Sequence, residues 1–179
     1  MDEFDVVYRQ FQPKVTRYLT QLLGEADAQD VSQGVMLRIS HGLSEFRGDS
    51  TLSTWIYRIA TNAARDHLRT RRQATEPFHE RPVAQDSGRD MDQDHIREEM
   101  GNCVQELVNR LPQGYRLVLL LSDYEEFSNP EIATILDLSL ETVKIRLHRA
   151  RARMRQIMEC ECHFYRHSDI GLMCDRRDK

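Results

Sequence analysis

The sequence has no long apolar run. The longest, Leu117 to Leu121, is far too short to span a bilayer. The opening MDEFDVVYRQF is acidic and amphipathic, so no signal peptide is expected. These absences predict a cytoplasmic protein with no direct membrane insertion. Structural disulfides are rare there, which favours metal ligation or plain thiols for the clustered cysteines near the C-terminus. Catalytic signatures are missing as well: there is no Ser-His-Asp set, P-loop or HExxH motif. Scattered carboxylates without a pocket do not make a hydrolase, so an enzyme is not expected and no cofactor is required.

What is present suits a helical protein with modest cores: 30% charged and 40% hydrophobic residues over 179 positions. The formal net charge of -4 is unfavourable for nucleic acid taken as a whole, but it averages over strong segregation. Between Glu76 and Glu99 eight acids face three arginines, a local charge of about -5. Between Leu140 and Arg155 six basic residues face Glu141 alone, about +5. Arg65, Arg69, Arg71 and Arg72 form a second basic cluster. Two basic patches flanking QATEPFHERPVAQDSGRDMDQD, which has almost no apolar periodicity, predict two small domains and a flexible acidic linker.

The most specific local pattern is FSNPEIATILDLSLETVKIRLHRARARM. Ser128 and Glu131 have capping-box spacing, and Pro130 falls in the tolerated first turn of a short helix. Ile132, Ala133, Ile135 and Leu136 supply its apolar face. LDLS makes a tight turn, and Ser139 is placed to cap the next helix. There Leu140, Val143, Leu147, Ala150, Met154 and Ile157 form one stripe, with the arginines opposite. A short helix, a tight turn and a basic amphipathic helix describe a helix-turn-helix. The plainer reading is a solvated basic helix, but the two caps and the placement of charge speak against it. Lys144, His148 and Arg149 share a face that can meet base edges and phosphates. Arg151, Arg153 and Arg155 lie further along and suit phosphates or helix coverage.

The stretch LPQGYRLVLLLSDYEEFSNPEIATILDLSLETVKIRLHRARARMR resembles region 4 of extracytoplasmic-function sigma factors of the sigma-70 family. Leu111-Pro112, Glu131 to Ala133 and Thr142 to Arg151 carry the likeness, with Asp137 where glycine is usual in the turn. The first half, through FDVVYRQFQPKVTRYLTQLL, EADAQDVSQGVMLRISHGL and FRGDSTLSTWIYRIATNAARDHLRTRR, is similar to region 2 of the same family. The resemblance implies an all-α fold: region 2 over 1–72, a flexible acidic linker over 73–97, and region 4 over 98–158. A Cys/His-rich tail occupies 159–179. It further implies that the protein binds core RNA polymerase and promoter DNA and promotes transcription initiation. Thr142, Lys144, Ile145, Arg146, His148 and Arg149 would read the -35 element. Phe46, Arg47, Asp49, Trp55, Arg58, Asn62, Arg65 and Arg69 would capture the opened -10 element. Asp27, Asp30, Gln33 and Arg38 would dock on the β′ clamp, where Gly34 replaces a usual acid. An anti-sigma factor is an implied partner. By residue type alone Trp55 reads as a core aromatic, packing inward with Ile59, Ala63 and Leu68. Strand opening does, however, need a stacking platform, an amide and cations along the backbone.

The tail ECECHFYRHSDIGLMCDRRDK holds three of the four cysteines. If the preceding helix continues, Cys160, His163 and His167 share one face. If it breaks near Glu159, Cys160 and Cys162 chelate locally and Cys174 folds back across Gly171. Either set suits Zn(II) or Cu(I). The alternative is an apolar patch, Phe164, Tyr165, Ile170, Leu172 and Met173, packed onto region 4. Two rival functions follow: a helix-turn-helix regulator that is not a sigma factor, and a metal or redox sensor centred on the tail.

Overall fold

The computed structural model describes residues 3–74, 101, 103–167 and 171–176. The first half is three helices: α1 (Glu3–Leu23), α2 (Glu25–Gly42) and α3 (Leu52–Ala74). Gly24 makes the sharp turn between α1 and α2 with φ 86°, a conformation that a Cβ would strain. Along α1, Val7, Phe11, Val15, Tyr18, Leu19 and Leu22 step by three or four residues and are all buried, and Phe4 packs at their edge. They meet Ala28, Val35, Met36 and Ile39 of α2.

On α3 the buried stripe lies elsewhere than expected. Ile56, Tyr57, Ala60 and Ala64 fill the core beside Ala63, whereas Trp55, Ile59 and Leu68 are only half-buried. The physical reason is a polar anchor. The Tyr18 and Thr61 hydroxyls lie 2.9 Å apart in the interior, which fixes the rotation of α3 against α1. Burial holds the Tyr18 hydroxyl well above the usual tyrosine range, so it stays protonated and able to donate.

The second half begins with helical residues 103–109 (α4), then α5 (Gln113–Leu119), which widens into a π turn over Leu120–Tyr124. α6 (Asn129–Leu136) and α7 (Leu140–Glu161) follow. The expected caps form. Glu131 accepts from the Ser128 N–H at 3.0 Å and from its hydroxyl at 2.6 Å. Ser139 accepts from the Thr142 N–H at 3.1 Å. Between the helices Asp137 adopts the left-handed conformation, φ 53°, that its position demands. Ile132, Ile135, Leu136, Val143, Leu147, Ala150 and Met154 close the core with Leu117 to Leu121. Leu140 departs from the stripe at 40% exposure, because it opens the helix before the packed turns begin.

The two halves touch. α3 packs on α6, where Arg65 donates to the Leu136 carbonyl at 3.3 Å and Thr54 to Glu131 at 3.5 Å. The Tyr57 and Phe127 rings meet edge-on with centroids 4.8 Å apart. The side chain of Glu125, 4% exposed, accepts from the Tyr57 hydroxyl and pairs with Arg17 at 3.3 Å. Nearly all of the expected acidic linker lies outside the described residues.

The fold is all-α as expected, with one short addition in the tail. Beyond Glu161 the chain forms β1 (Cys162–His167) and β2 (Gly171–Arg176), an antiparallel pair with Cys162 opposite Arg176 and Phe164 opposite Cys174. The helix stops without glycine or proline at its end. Glu159 and Glu161 oppose the macrodipole in the last turn, and Arg110 holds Glu161 at 2.5 Å. The following residues gain strand pairing instead.

Candidate nucleic-acid interface

α7 is built from its buried side outward. With Val143, Leu147 and Ala150 fixed inside, the 3.6-residue period leaves Lys144, Ile145, His148 and Arg149 exposed on one solvent face. The first two turns of a capped helix are thus presented to solvent with two cations, an imidazole and an apolar side chain. A cleft of about 280 Å³ beside this face is lined by Asn129, Lys144, His148, Arg151 and Arg155, a cationic wall suited to phosphate oxygens. The remaining expected residues do other work. Thr142 sits 2.7 Å from the Ser139 hydroxyl and belongs to the cap. Arg146 is half-buried over α5, its guanidinium 3.6 Å from where a Cβ on Gly114 would lie. Arg151 is clamped to Asp123 at 2.5 Å and to Ser122 at 3.2 Å, tying α7 to the π turn.

The expected α3 set divides in the same way. Trp55 is half-buried at the start of the helix, its ring 5.3 Å from that of Phe46. Gly42 permits this placement, since a Cβ there would come 3.1 Å from the indole. Arg47 and Asp49 are exposed in the loop before α3, around Gly48 with φ 76°. Arg58 and Asn62 are exposed one and two turns on. Arg69 is exposed but 3.1 Å from Asp66, and Arg65 is engaged by the Leu136 carbonyl. An aromatic pair, an amide and a run of cations thus lie along one side of α3.

On α2, Asp30, Gln33 and Arg38 are exposed together, and Gly34 between them faces open space. Asp27 does not join them freely. Its carboxylate accepts from Arg71 at 2.6 Å, fastening α2 to α3, and lies 3.3 Å from the His67 Nε2. Leu37, 61% exposed, lies on the same face and escaped the sequence reading. Its signal was an apolar residue one position outside the buried Val35, Met36 and Ile39 pattern. Tyr57 and Glu125 were also missed. Burial first, then the hydrogen bond it donates to Glu125, hold the Tyr57 hydroxyl protonated well above the usual tyrosine range. No local pattern marks a contact between residues so far apart in the chain.

Among the described residues, the tail side chains lie in different places. Cys160 is exposed in the last turn of α7, Cys162 and Cys174 are buried, and His163 is exposed on the opposite strand face, where it stacks on Tyr165. The His167 side chain lies outside the described residues. The helical arrangement of Cys160, His163 and His167 is corrected by the start of β1 at Cys162. Among the described residues no group of three or more His, Cys, Asp or Glu comes together. No described helix is long and apolar enough to cross a membrane.

Comparison with known proteins follows the same division of the chain. Residues 7–74 match the family model for Sigma-70 region 2, and residues 101–154 that for Sigma-70, region 4. The RNA polymerase sigma-H factor of Pseudomonas aeruginosa is 30% identical over 169 residues, covering 87% of this chain and 86% of that protein. The ECF RNA polymerase sigma factor SigW of Bacillus subtilis is 29% identical over 167 residues, 87% and 88% of the two chains. Among solved structures, CnrH in complex with the cytosolic domain of CnrY superposes with a TM-score of 0.65 at 26% identity, covering 88% of each chain. The sigma factor RpoE in complex with the anti-sigma factor NepR from Bartonella quintana shares the fold, with a TM-score of 0.72 at 19% identity over 89% and 98% of the chains.

Proposed function

The chain belongs to the extracytoplasmic-function sigma factors of the sigma-70 family, and on that footing we propose how its surfaces divide the work of promoter recognition. It is a regulatory subunit of the cytoplasm without chemistry of its own: it binds core RNA polymerase, recognises the -35 and -10 elements and promotes initiation. Lys144, Ile145, His148 and Arg149 on α7 read the -35 element in the major groove, with Arg155 and the adjoining cleft on phosphates. Arg47, Trp55, Arg58, Asn62 and Arg69 follow the opened -10 strand, and the exposed face of α2 from Asp30 to Arg38 meets the polymerase β′ clamp. The observation that carries this reading is the capped helix-turn-helix, whose packed stripe leaves four exposed residues in register for a groove.

CnrH, a similar protein, is solved with the cytosolic domain of its partner CnrY. A cytosolic anti-sigma segment is the partner class inferred here as well. The deciding experiment is transcription in vitro with core polymerase and a promoter selected by the protein from random DNA. Specific initiation by core enzyme is expected. A protein that only modulates a preformed holoenzyme is an ordinary helix-turn-helix regulator, and that result overturns the proposal.

A further inference from the structure

Sigma-factor function leaves the C-terminal hairpin without a role, and the hairpin holds two of the four cysteines. Its register decides which cysteines act together. Phe164 faces Cys174 and Cys162 faces Arg176, so Cys162 and Cys174 occupy the same face on adjacent strands, one diagonal step apart. Both are inside, at 1% and 8% exposure, and both belong to the apolar core continuous with α7. Cys160 stands apart on the exposed last turn of α7.

From this juxtaposition we propose that Cys162 and Cys174 form a two-thiolate site for a soft monovalent cation, Cu(I). Antiparallel strand geometry favours a bridging ion over a disulfide. Diagonal neighbours on an antiparallel pair sit about 7–8 Å apart at Cα. A disulfide wants Cα atoms within about 7 Å and sulfurs about 2 Å apart. Two metal–sulfur bonds of roughly 2.3 Å place the sulfurs up to about 4.6 Å apart, which a diagonal pair reaches with less backbone movement. Chemistry then selects the ion. Two sulfur ligands at 1% and 8% exposure suit a soft cation of low coordination number, whereas Zn(II) calls for four ligands. Binding replaces two S–H protons with two metal–sulfur bonds and releases both protons. No oxidation state changes. The site lies directly beyond the last turn of α7, so an ion there fastens the hairpin to the end of the helix that carries the exposed basic face.

The test uses the full chain, reduced, anaerobic and metal-free, titrated with Cu(I) against a chromophoric Cu(I) chelator. One equivalent is expected to be retained, and X-ray absorption of the loaded protein is expected to show two sulfur neighbours. Cys160→Ser is expected to leave retention unchanged. Cys174→Ser and Cys162→Ser are expected to weaken it at least tenfold. Since Cys162 is fully buried, each variant is first checked for its helical signal and melting temperature. The absorption spectrum of the unaltered protein decides the matter even where a variant does not fold. No retained Cu(I), a copper shell containing nitrogen, retention indifferent to Cys174→Ser, or Zn(II) as the only ion held overturns the proposal. So does quantitative formation of a Cys162–Cys174 disulfide under mild peroxide with no copper bound by the reduced protein.

Discussion

α3 and α7 are both long, basic and amphipathic, yet they spend their charges differently. On α7 the inward stripe is apolar throughout, and Lys144, His148 and Arg149 are left to solvent. On α3 the cations are largely engaged: Arg65 with the Leu136 carbonyl, Arg69 with Asp66, and Arg71 with Asp27. One side of α3 is covered by the second half of the molecule through Thr54, Tyr57 and Arg65. On the proposed division of work, a duplex-reading α7 can be built rigid and open, because its target already has a fixed shape. An α3 proposed to take melted DNA can be held by its own neighbours until a strand arrives to replace them. The contrast also separates two uses of arginine that composition treats alike.

The comparison can be broken first at its foundation. Leu147→Ala removes the packing beneath the α7 face and is expected to cost about 2–5 kcal/mol in urea unfolding, with -35 binding lost alongside. Lys144→Ala and Arg149→Ala are expected to leave the melting temperature unchanged. Each should weaken -35 duplex binding by about 1–3 kcal/mol, with a shallower salt dependence in anisotropy titrations. Equal loss of stability would mean that the face is structural. Glu125→Ala strips the carboxylate from Tyr57 and Arg17 and is expected to destabilise the contact between the halves by about 1–3 kcal/mol. X-ray scattering should show a larger radius of gyration, while -35 binding stays the same.

pH provides a finer probe of the same contact. Tyr57 is raised in the fold, so its contribution is complete below the ordinary tyrosine value of 10.0 and is lost as pH climbs beyond it. Tyr57→Phe should flatten that alkaline limb. The smallest effect is expected at the α6 cap. The Ser128 hydroxyl, and next its backbone N–H, hold Glu131 below its ordinary value of 4.5. The cap is therefore present above that value and fades as pH falls below it. Glu131→Gln should cost about 1 kcal/mol at neutral pH and weaken the acid dependence of unfolding.

Local pattern was enough for α7 and its surroundings. Ser128, Glu131, Asp137 and Ser139 each satisfy a rule that operates over a few residues, and all take the conformations their types favour. α3 was legible as a helix but not in rotation, since Trp55 and Ile59 fit an inward stripe as well as Ile56 and Ala60 do. The hairpin was not legible, because a continued helix and a chain reversal were equally open from Cys160 to Cys174. Asp27 illustrates the limit for a site: its type suited a docking surface, and only its distance to Arg71 and His67 shows its hold on α3.

The helical period, the caps, the left-handed turn at Asp137 and the segregation of charge follow from the residues alone, because they depend on neighbours within one or two turns. The rotation of α3, the placement of Cys162 and Cys174 on one buried face, and the meeting of Tyr57, Arg17 and Glu125 come only with the folded chain. Each of these joins residues far apart in the chain or across strands. Their energies depend on burial and distance, which exist only once the chain has folded.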